Sequence, residues 1–222
     1  MSGASETGAG WREHISYQAL LLGGFSLLAA ALLTFGDLVT REPIAARRAE
    51  DLQASLSQVL PATIHDNDLL AAPLAMTDDD GEPLVVYRAL RGLQVTGVAF
   101  RASAVGYAGP IEVLVGIDAD GRILGARVLA HAETPGLGDK IEIDRDDWIL
   151  DFDGRSIGDP PLERWAVAKD DGDFDQFTGA TITPRAVVRA IKEALLYFAA
   201  HRDTLTASAV VTEPAPEAPR PR

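Results

Sequence analysis

The segment 175–184 has the residue types of a phosphate-binding site. It reads Asp-Gln-Phe-Thr-Gly-Ala-Thr-Ile-Thr-Pro, so three threonine hydroxyls surround a small Gly-Ala pair. A helical pattern follows directly, and we predict that Thr183 is its N-cap and that Pro184 takes its first position. Backbone N–H groups at a helix start attract phosphate, and small residues let a phosphate approach the backbone. The alternative is purely structural: Thr183 caps the helix and Gly179 makes the turn.

A second candidate segment, 131–138, directly follows a predicted strand. It reads His-Ala-Glu-Thr-Pro-Gly-Leu-Gly. Its two glycines let backbone N–H groups approach a flat ligand, and the side chains of Glu133 and Thr134 can hydrogen-bond to the edge of such a ligand. The alternative is a turn at the end of a strand, with His131 as a structural histidine.

A third segment, 106–111, reads Gly-Tyr-Ala-Gly-Pro-Ile and precedes another predicted strand. Its aromatic residue, Tyr107, either belongs to the core or lines a ligand site. We predict the core position.

Composition excludes several other kinds of chemistry. The 222 residues include no cysteine, which excludes disulfides, cysteine nucleophiles, iron–sulfur ligation and thiolate zinc sites. No Gly-Lys-Ser/Thr sequence follows the glycines of 131–138, and no paired histidines stand at metal-ligand spacing. The formal charge of −13 argues against a general nucleic-acid binder, which needs a basic face. We expect no catalytic acid–base pair and no metal site.

The elements that must position these segments are mainly strands. Short β-rich runs predict four of them: Leu84–Leu90, Gln94–Ala102, Ile111–Ile117 and Ile123–Ala130. Residues 118–121, Asp-Ala-Asp-Gly, join the last two strands as a hairpin in which Gly121 is free to take a positive φ.

Apolar residues at helical spacing predict two helices outside the sheet. One covers Ile44–Leu60 and ends at Pro61; the other covers Pro184–His201. One side of the second helix carries Val187, Val188, Ile191, Leu195 and Phe198. The predicted fold is therefore α+β, with a twisted, mainly antiparallel sheet and helices packed on it.

The remaining segments have simpler expectations. Trp148 and Trp165 lie in the mixed, acidic region 139–176 and are expected to be core anchors. The run 77–83, Thr-Asp-Asp-Asp-Gly-Glu-Pro, is interpreted as a solvated acidic turn in preference to a metal site. The tail 206–222 contains four prolines and is predicted to be disordered.

An apolar run near the N-terminus predicts a membrane anchor. Ala19–Phe35 is 17 residues long and contains no charge, which is at the short end of a spanning helix. A cleaved signal peptide is the alternative, but the preceding residues are poor in basic side chains and no small-x-small site follows Phe35. A buried helix of a soluble protein is the least favoured interpretation, because every face is apolar.

The charges beside the anchor conflict with export of the following domain. Arg12 precedes the run, whereas Arg41, Arg47 and Arg48 follow it. Counting basic residues alone places the large C-terminal part in the cytoplasm, although a long trailing domain can be exported despite such charges.

Together, the three segments resemble a known family. Asp-x-x-Thr-Gly-Ala-Thr-x-Thr at 175–183 resembles the flavinylation motif of FMN-binding domains, which occur in the G subunit of the Rnf electron-transport complex and the C subunit of the sodium-pumping NADH:quinone reductase. His-x-Glu-Thr-Pro-Gly-Leu-Gly at 131–138 and Gly-Tyr-x-Gly-x-Ile at 106–111 are similar to two further signatures of this family. The three occur in the family's order behind one span, over about residues 15–205, and the chain length favours the Rnf type.

The resemblance implies a role for each motif residue. Thr181 would carry FMN through a phosphoester bond, made by a separate flavin transferase from FAD with Mg²⁺, and Asp175 would assist recognition or flavinylation. The phosphate would be cradled by Thr178, Gly179, Ala180 and Thr183. The isoalloxazine ring would contact Glu133, Thr134, Gly136, Leu137 and Gly138, with His131 as a further candidate.

The resemblance also implies a cellular context. It implies residues 1–16 in the cytoplasm, a single-pass inner-membrane anchor at 17–39, a periplasmic FMN-binding domain at 40–205 and a free tail at 206–222. The implied function is electron relay within an ion-translocating ferredoxin/NADH redox complex, whose other subunits, the membrane and the flavin transferase are the partners. The alternatives are the quinone-reductase protein, a flavin protein of another extracytoplasmic reductase, and an anchored binding module without flavin.

Overall fold

Residues 7–79 and 81–208 are described by the computed structural model. The chain divides into two compact units, Met1–Asp51 and Leu52–Arg222. Residues 1–6, Asp80 of the acidic turn and residues 209–222 of the proline-rich tail lie outside the described residues. The predicted disorder of that tail therefore stays a prediction.

Helix α1 (Thr7–Val59) contains the apolar run. Its residues Ser16–Val59 include an 18-residue stretch with a mean hydropathy of 2.0, none of it buried, so the helix can cross a membrane by length and composition. The anchor and the predicted helix at 44–60 are one continuous element, with Pro43 inside it. Pro43 removes one backbone hydrogen bond without ending the helix, because the alanine-, arginine- and glutamate-rich residues after it are strong helix formers.

A five-stranded antiparallel sheet forms the centre of the second unit, with its strands in chain order. The strands are β1 (Leu74–Thr77), β2 (Pro83–Arg91), β3 (Gln94–Val105), β4 (Pro110–Asp118) and β5 (Ile123–Ala130). The four predicted strands are confirmed. The hairpin between β4 and β5 is also confirmed, with Gly121 at φ +90°. Strand β1 was missed because it is only four residues long and pairs only with β2.

Side chains alternate between the two faces of the sheet, as the two-residue period of a strand requires. On one face, Leu56 and Val59 of α1 and Leu60 directly after it pack with Ala99 and Leu114 of the sheet. Because this face needs the last turn of α1, residues from Leu52 onward belong to the same compact unit as the sheet.

The other face of the sheet is covered by helix α2 (Ile182–Leu205) and by the chain between β5 and α2. All five residues of the predicted apolar side of α2 are buried. The connecting chain contains short 3₁₀ helices at Asp139–Ile141, Asp147–Phe152, Leu162–Arg164 and Ala168–Asp170. Trp148 and Trp165 are buried as predicted, in an aromatic cluster with Phe152 and Phe174.

Candidate functional site

The segments 131–138 and 178–183 meet at the start of α2. The Thr183 hydroxyl donates a hydrogen bond to Oε2 of Glu133, 50 residues away in the chain. A cavity of about 290 Å³ lies at this junction. It is lined by Tyr107, Glu133, Thr134, Leu137, Gly138, Gly179, Ala180, Thr181, Ile182 and Thr183. The structure thus brings the two segments together, and the cavity is near the lower size limit of small-molecule sites.

The start of α2 differs from the sequence-based prediction. The helix begins at Ile182 with Thr181 as its N-cap, so the assignment of Thr183 as N-cap and of Pro184 as the first residue was wrong. Thr183 is buried, and its hydroxyl is bonded to Glu133 instead of to a backbone N–H of its own helix. Pro184 is tolerated in the first turn because N–H groups there have no partner within the helix.

Thr181 stands at this helix start with its hydroxyl uncommitted to capping. Its backbone has helical dihedrals, and its side chain makes no capping hydrogen bond to the described part of the chain. Gly179, at φ +85°, makes the turn just before it, with Ala180 between them. The arrangement leaves a hydroxyl, small residues and the positive end of a 24-residue helix at one side of the cavity.

Glu133 and Thr183 are the two buried polar residues among the described residues that line the cavity. Only 5% of Glu133 is exposed, and its Oε1 accepts a hydrogen bond from the Ala108 N–H at 3.0 Å while Oε2 accepts from Thr183. Its own N–H donates to Nδ1 of His131 at 3.1 Å. Because buried polar groups need hydrogen-bond partners, the contacts of Oε1 and Oε2 explain how this carboxyl group is accommodated here.

His131 lies behind the cavity and does not line it. Because its Nδ1 accepts from Glu133, the neutral imidazole carries its proton on Nε2, which donates to Glu142 Oε1 at 2.8 Å. The ring therefore connects the 131–138 segment to residue 142. Its position is that of a support for the loop.

The turn after β3 places Tyr107 at the cavity, although a core position was predicted for it from the sequence. Gly106 N–H donates to the Gly109 carbonyl at 2.8 Å, and Tyr107 stands at the tip of this turn. The prediction of Tyr107 as a core residue was wrong, because it is 69% exposed and lines the cavity. The turn ends the pairing of β3 and directs the ring outward.

The remaining predicted site residues lie beside the cavity without lining it. Gly136, at φ +79°, donates its N–H to Asp139 Oδ1 at 2.7 Å and closes the turn of the 131–138 segment. Asp175 and Thr178 are outside the lining, and Asp175 is exposed. The Asp175 carbonyl accepts from the indole N–H of Trp148 at 2.9 Å, which attaches this segment to the aromatic cluster.

Carboxylates gather beside residue 175. Burial raises the pKa of the Asp151 carboxyl above its ordinary value, and the negative charges of Asp175 and Asp147 raise it further. The segment that leads to Thr181 therefore has an acidic flank.

The cavity combines two chemistries. At the start of α2 it offers a hydroxyl and a helix terminus suited to a phosphate group, and elsewhere it offers the apolar side chains of Tyr107, Leu137 and Ile182. Of these three, sequence reasoning assigned only Leu137 to the site. Ile182 had one usable signal, since it directly follows Thr181, and Tyr107 had another, since it is a lone aromatic residue between two glycines.

Comparison with known proteins gives matches along most of the chain. Residues 106–196 match the family model of the FMN-binding domain, and residues 1–59 match that of the RnfG N-terminal region. The G subunit of the ion-translocating oxidoreductase complex of Cereibacter sphaeroides is 55% identical over 197 residues, which cover 89% of this chain and 90% of that protein. The corresponding G subunit of Stutzerimonas stutzeri is 51% identical over 185 residues, covering 83% and 81% of the two chains.

Solved structures give weaker matches. The NqrC protein of Shewanella oneidensis has a TM-score of 0.45 and 22% identity, covering 63% of this chain and 74% of that one. The C subunit of the Na⁺-translocating NADH-quinone reductase from Parabacteroides distasonis has a TM-score of 0.42 and 21% identity, covering 64% and 69%.

Proposed function

Because the chain belongs to the family of the G subunits of ion-translocating oxidoreductase complexes, we propose that it relays electrons in such a complex through FMN bonded to Thr181. The chain contains an FMN-binding domain. The covalent bond, the attachment residue and the relay role are the proposal.

The position of the Thr181 hydroxyl is the observation that carries this proposal. Of the three threonines in the segment, Thr183 is bonded to Glu133, and Thr178 does not line the cavity. Thr181 lines the cavity, stands at the positive end of α2 and makes no capping bond within the described residues. A phosphoester at its Oγ1 would place the remaining negative charge of the phosphate next to the backbone N–H groups of the helix start.

The surrounding residues fit the two halves of FMN. Gly179 and Ala180 leave the backbone open to the phosphate, and Tyr107, Leu137 and Ile182 offer apolar contact to a flat ring. FMN, when bound, supplies reversible electron transfer, and the protein contributes binding, orientation and local charge. Because a phosphoester prevents dissociation, the ring can stay partly exposed to a neighbouring redox protein of the complex.

The attachment reaction would use FAD as the donor. Thr181 Oγ1 would form a bond to the phosphorus of the FMN half while the pyrophosphate bond breaks and AMP leaves; the hydroxyl proton goes to solvent. A separate flavin transferase with Mg²⁺ would carry out this step. The turn before Thr181, with Gly179 exposed, is open to such an enzyme.

A relay role agrees with the side chains around the cavity. Glu133 is the single carboxylate among the described residues that line it, and each of its oxygens already accepts a hydrogen bond from the protein. The carboxylate therefore serves to hold protein segments together. Electrons would pass between the flavin and other subunits of the complex.

The proposed location is the inner membrane. Helix α1 would cross it once, with the flavin domain in the periplasm and residues 1–16 in the cytoplasm. The arginines after the span favour the reverse orientation, but a long trailing domain can be exported regardless of nearby charges.

Flavin fluorescence on a denaturing gel tests the attachment. Wild type, Thr181→Val and Thr178→Val are each coexpressed with a flavin transferase that is active on a control substrate. We expect fluorescent bands for wild type and Thr178→Val and none for Thr181→Val. Fluorescence retained by Thr181→Val would place the bond elsewhere, and a dark wild-type band would overturn covalent attachment altogether.

A further inference from the structure

Glu133 connects three segments that line the cavity. Its Oε1 is bonded to the turn 106–109 through Ala108 N–H, its Oε2 is bonded to α2 through Thr183, and its backbone belongs to the segment 131–138. The carboxylate is nearly inaccessible to solvent. A group held in this way is poorly placed to recognise a ligand directly, because both oxygens are directed at protein donors.

Two glycines make room for this side chain. A Cβ atom added at Gly106 would lie 2.5 Å from Glu133 Oε1, and one added at Gly138 would lie 2.8 Å from Glu133 Cβ. Neither glycine has a positive φ, so space and not backbone conformation requires the missing side chain. The turn 106–109 thus lies directly against the carboxylate.

Tyr107 stands between the two residues that touch Glu133. Gly106 has no room for a side chain beside the carboxylate, Ala108 donates its N–H to it, and the tyrosine ring lies in the wall of the cavity. The ring makes no stacking contact with another aromatic ring in the part of the chain that the structure describes. An exposed aromatic ring held by a fixed backbone is well suited to stack on a flat ligand, since offset stacking adds to the gain from buried area.

We propose that Tyr107 covers the flavin ring and that Glu133 is the positioning residue that holds it there. This inference rests on the proposed function, because it requires FMN at Thr181. It reassigns Glu133: the family resemblance implies direct contact with the isoalloxazine, whereas the geometry makes its carboxylate a support for the residue that makes the contact.

The lifetime of flavin fluorescence in the loaded, full-length protein is the readout. A tyrosine or tryptophan ring in contact with the flavin shortens this lifetime strongly, whereas an aliphatic side chain does not. We expect Tyr107→Leu to lengthen the lifetime severalfold and Tyr107→Trp to keep it short. An unchanged lifetime in Tyr107→Leu would overturn the contact.

Two glycine variants test the role of Glu133 without touching its side chain. Gly106→Ala places a methyl group 2.5 Å from Glu133 Oε1 and 2.6 Å from Ile111 Cδ1, and so displaces the turn from both neighbours, whereas the same change at Gly109, in the same turn, meets no atom closer than 3.9 Å. We expect Gly106→Ala to lengthen the lifetime and Gly109→Ala to leave it unchanged. Equal lifetimes in both variants would contradict a ring position that depends on how this turn is seated against Glu133 and Ile111.

A double-mutant cycle then asks whether Glu133 acts through Tyr107. Glu133→Ala removes both hydrogen bonds, whereas the amide of Glu133→Gln can still accept from Ala108 and donate to Thr183. We expect Glu133→Ala to lengthen the lifetime, Glu133→Gln to keep it short, and Glu133→Ala to add nothing in the Tyr107→Leu background. An additive effect in that background would show that Glu133 does not act through the ring.

A denaturing gel of the same samples separates the two hypotheses. If the wild-type band is fluorescent but the fluorescence lifetime is the same in wild type and Tyr107→Leu, this inference is overturned and the proposed function stands. A dark band for wild type overturns both. If Glu133→Ala does not fold, the glycine pair and Glu133→Gln decide the outcome.

Discussion

The three threonines of the 178–183 segment carry the same hydroxyl group but have different surroundings. Thr178 lies outside the cavity, Thr181 faces the cavity at the helix N-cap, and Thr183 is buried against Glu133. What each threonine hydroxyl can do here depends on which partner lies within hydrogen-bond distance of it. The hydroxyl of Thr183 is hydrogen-bonded to the buried Glu133. In the proposed function, the hydroxyl that reacts with the ligand is therefore that of Thr181.

A second side-chain pair stabilises the start of α2 from outside the cavity. Arg185 donates from Nε to Asp170 Oδ2 at 2.6 Å and from Nη2 to Oδ1 at 2.8 Å. These hydrogen bonds lower the pKa of the Asp170 carboxyl and raise that of the Arg185 guanidinium. The pair links the 3₁₀ helix at Ala168–Asp170 to the first turn of α2, but its exposure to solvent limits its contribution.

Asp170→Asn is therefore expected to lower the melting temperature slightly at neutral pH. Because the folded carboxyl has a lowered pKa, its stabilisation is present above the unfolded value of about 3.9 and is lost as pH falls through the folded value. The difference in melting temperature between wild type and Asp170→Asn should disappear at acidic pH and become smaller in high salt.

The neighbouring Asp171→Asn is the matched control for this change. Asp171 has φ +60°, a conformation that asparagine also tolerates, so only the charge is altered. Melting curves at neutral and acidic pH give the comparison. A gap for Asp170→Asn that persists in acid, or an equal gap for Asp171→Asn, would refute the ion-pair explanation.

The end of α1 and the sheet approach each other through glycines in the strands. A Cβ atom at Gly116 of β4 would overlap the Val59 carbonyl, and one at Gly125 of β5 would lie 3.1 Å from the Gln58 carbonyl oxygen. The backbone at the end of α1 therefore rests directly on β4 and β5. Close packing of this kind places Leu56, Val59 and Leu60 over the sheet face opposite to α2.

Gly116→Ala should consequently destabilise the second unit. Forcing a methyl group between two backbones that are already in contact costs about 1–3 kcal/mol, as overpacking of a core does. The measurement is the midpoint of thermal unfolding by circular dichroism. Gly109→Ala, whose new methyl group has no close neighbour, is the control and should match wild type. Equal midpoints for all three proteins would argue against this contact.

The whole chain has one candidate span among its described residues and an acidic, cysteine-free composition. Its net charge is −13, and the apolar run is in the first unit, whereas the cavity is entirely in the second. In the proposed topology, export of the large unit decides the orientation, and local arginines are a weak guide to such export. The absence of cysteine permits a direct test.

Single cysteines introduced on the two sides of the span are expected to report opposite compartments. In intact cells, a small maleimide that does not cross the inner membrane should label Glu163→Cys, at an exposed position, and should label Ser5→Cys only after lysis. The unmodified chain is the blank. Labelling of Ser5→Cys alone in intact cells would reverse the proposed topology.

Local patterns were sufficient for most of the secondary structure. Four strands, the β4–β5 hairpin and the buried side of α2 followed from the alternation and spacing of apolar residues, which depend on near neighbours in the chain. The short motifs likewise located the loops of the candidate site. Strand β1 was not predicted, because four residues are too few to show a periodic pattern and the strand pairs only with β2.

The partners of individual side chains depended on contacts between distant segments. Loops 50 residues apart meet through Thr183 and Glu133, and the N-cap of α2 is Thr181 and not Thr183. The same carboxylate holds the turn that directs Tyr107 out of the core and into the cavity wall. A sequence pattern records which groups can form hydrogen bonds, whereas the packing of sheet and helix sets which of them come within reach, and a buried carboxyl group then bonds to the nearest donors.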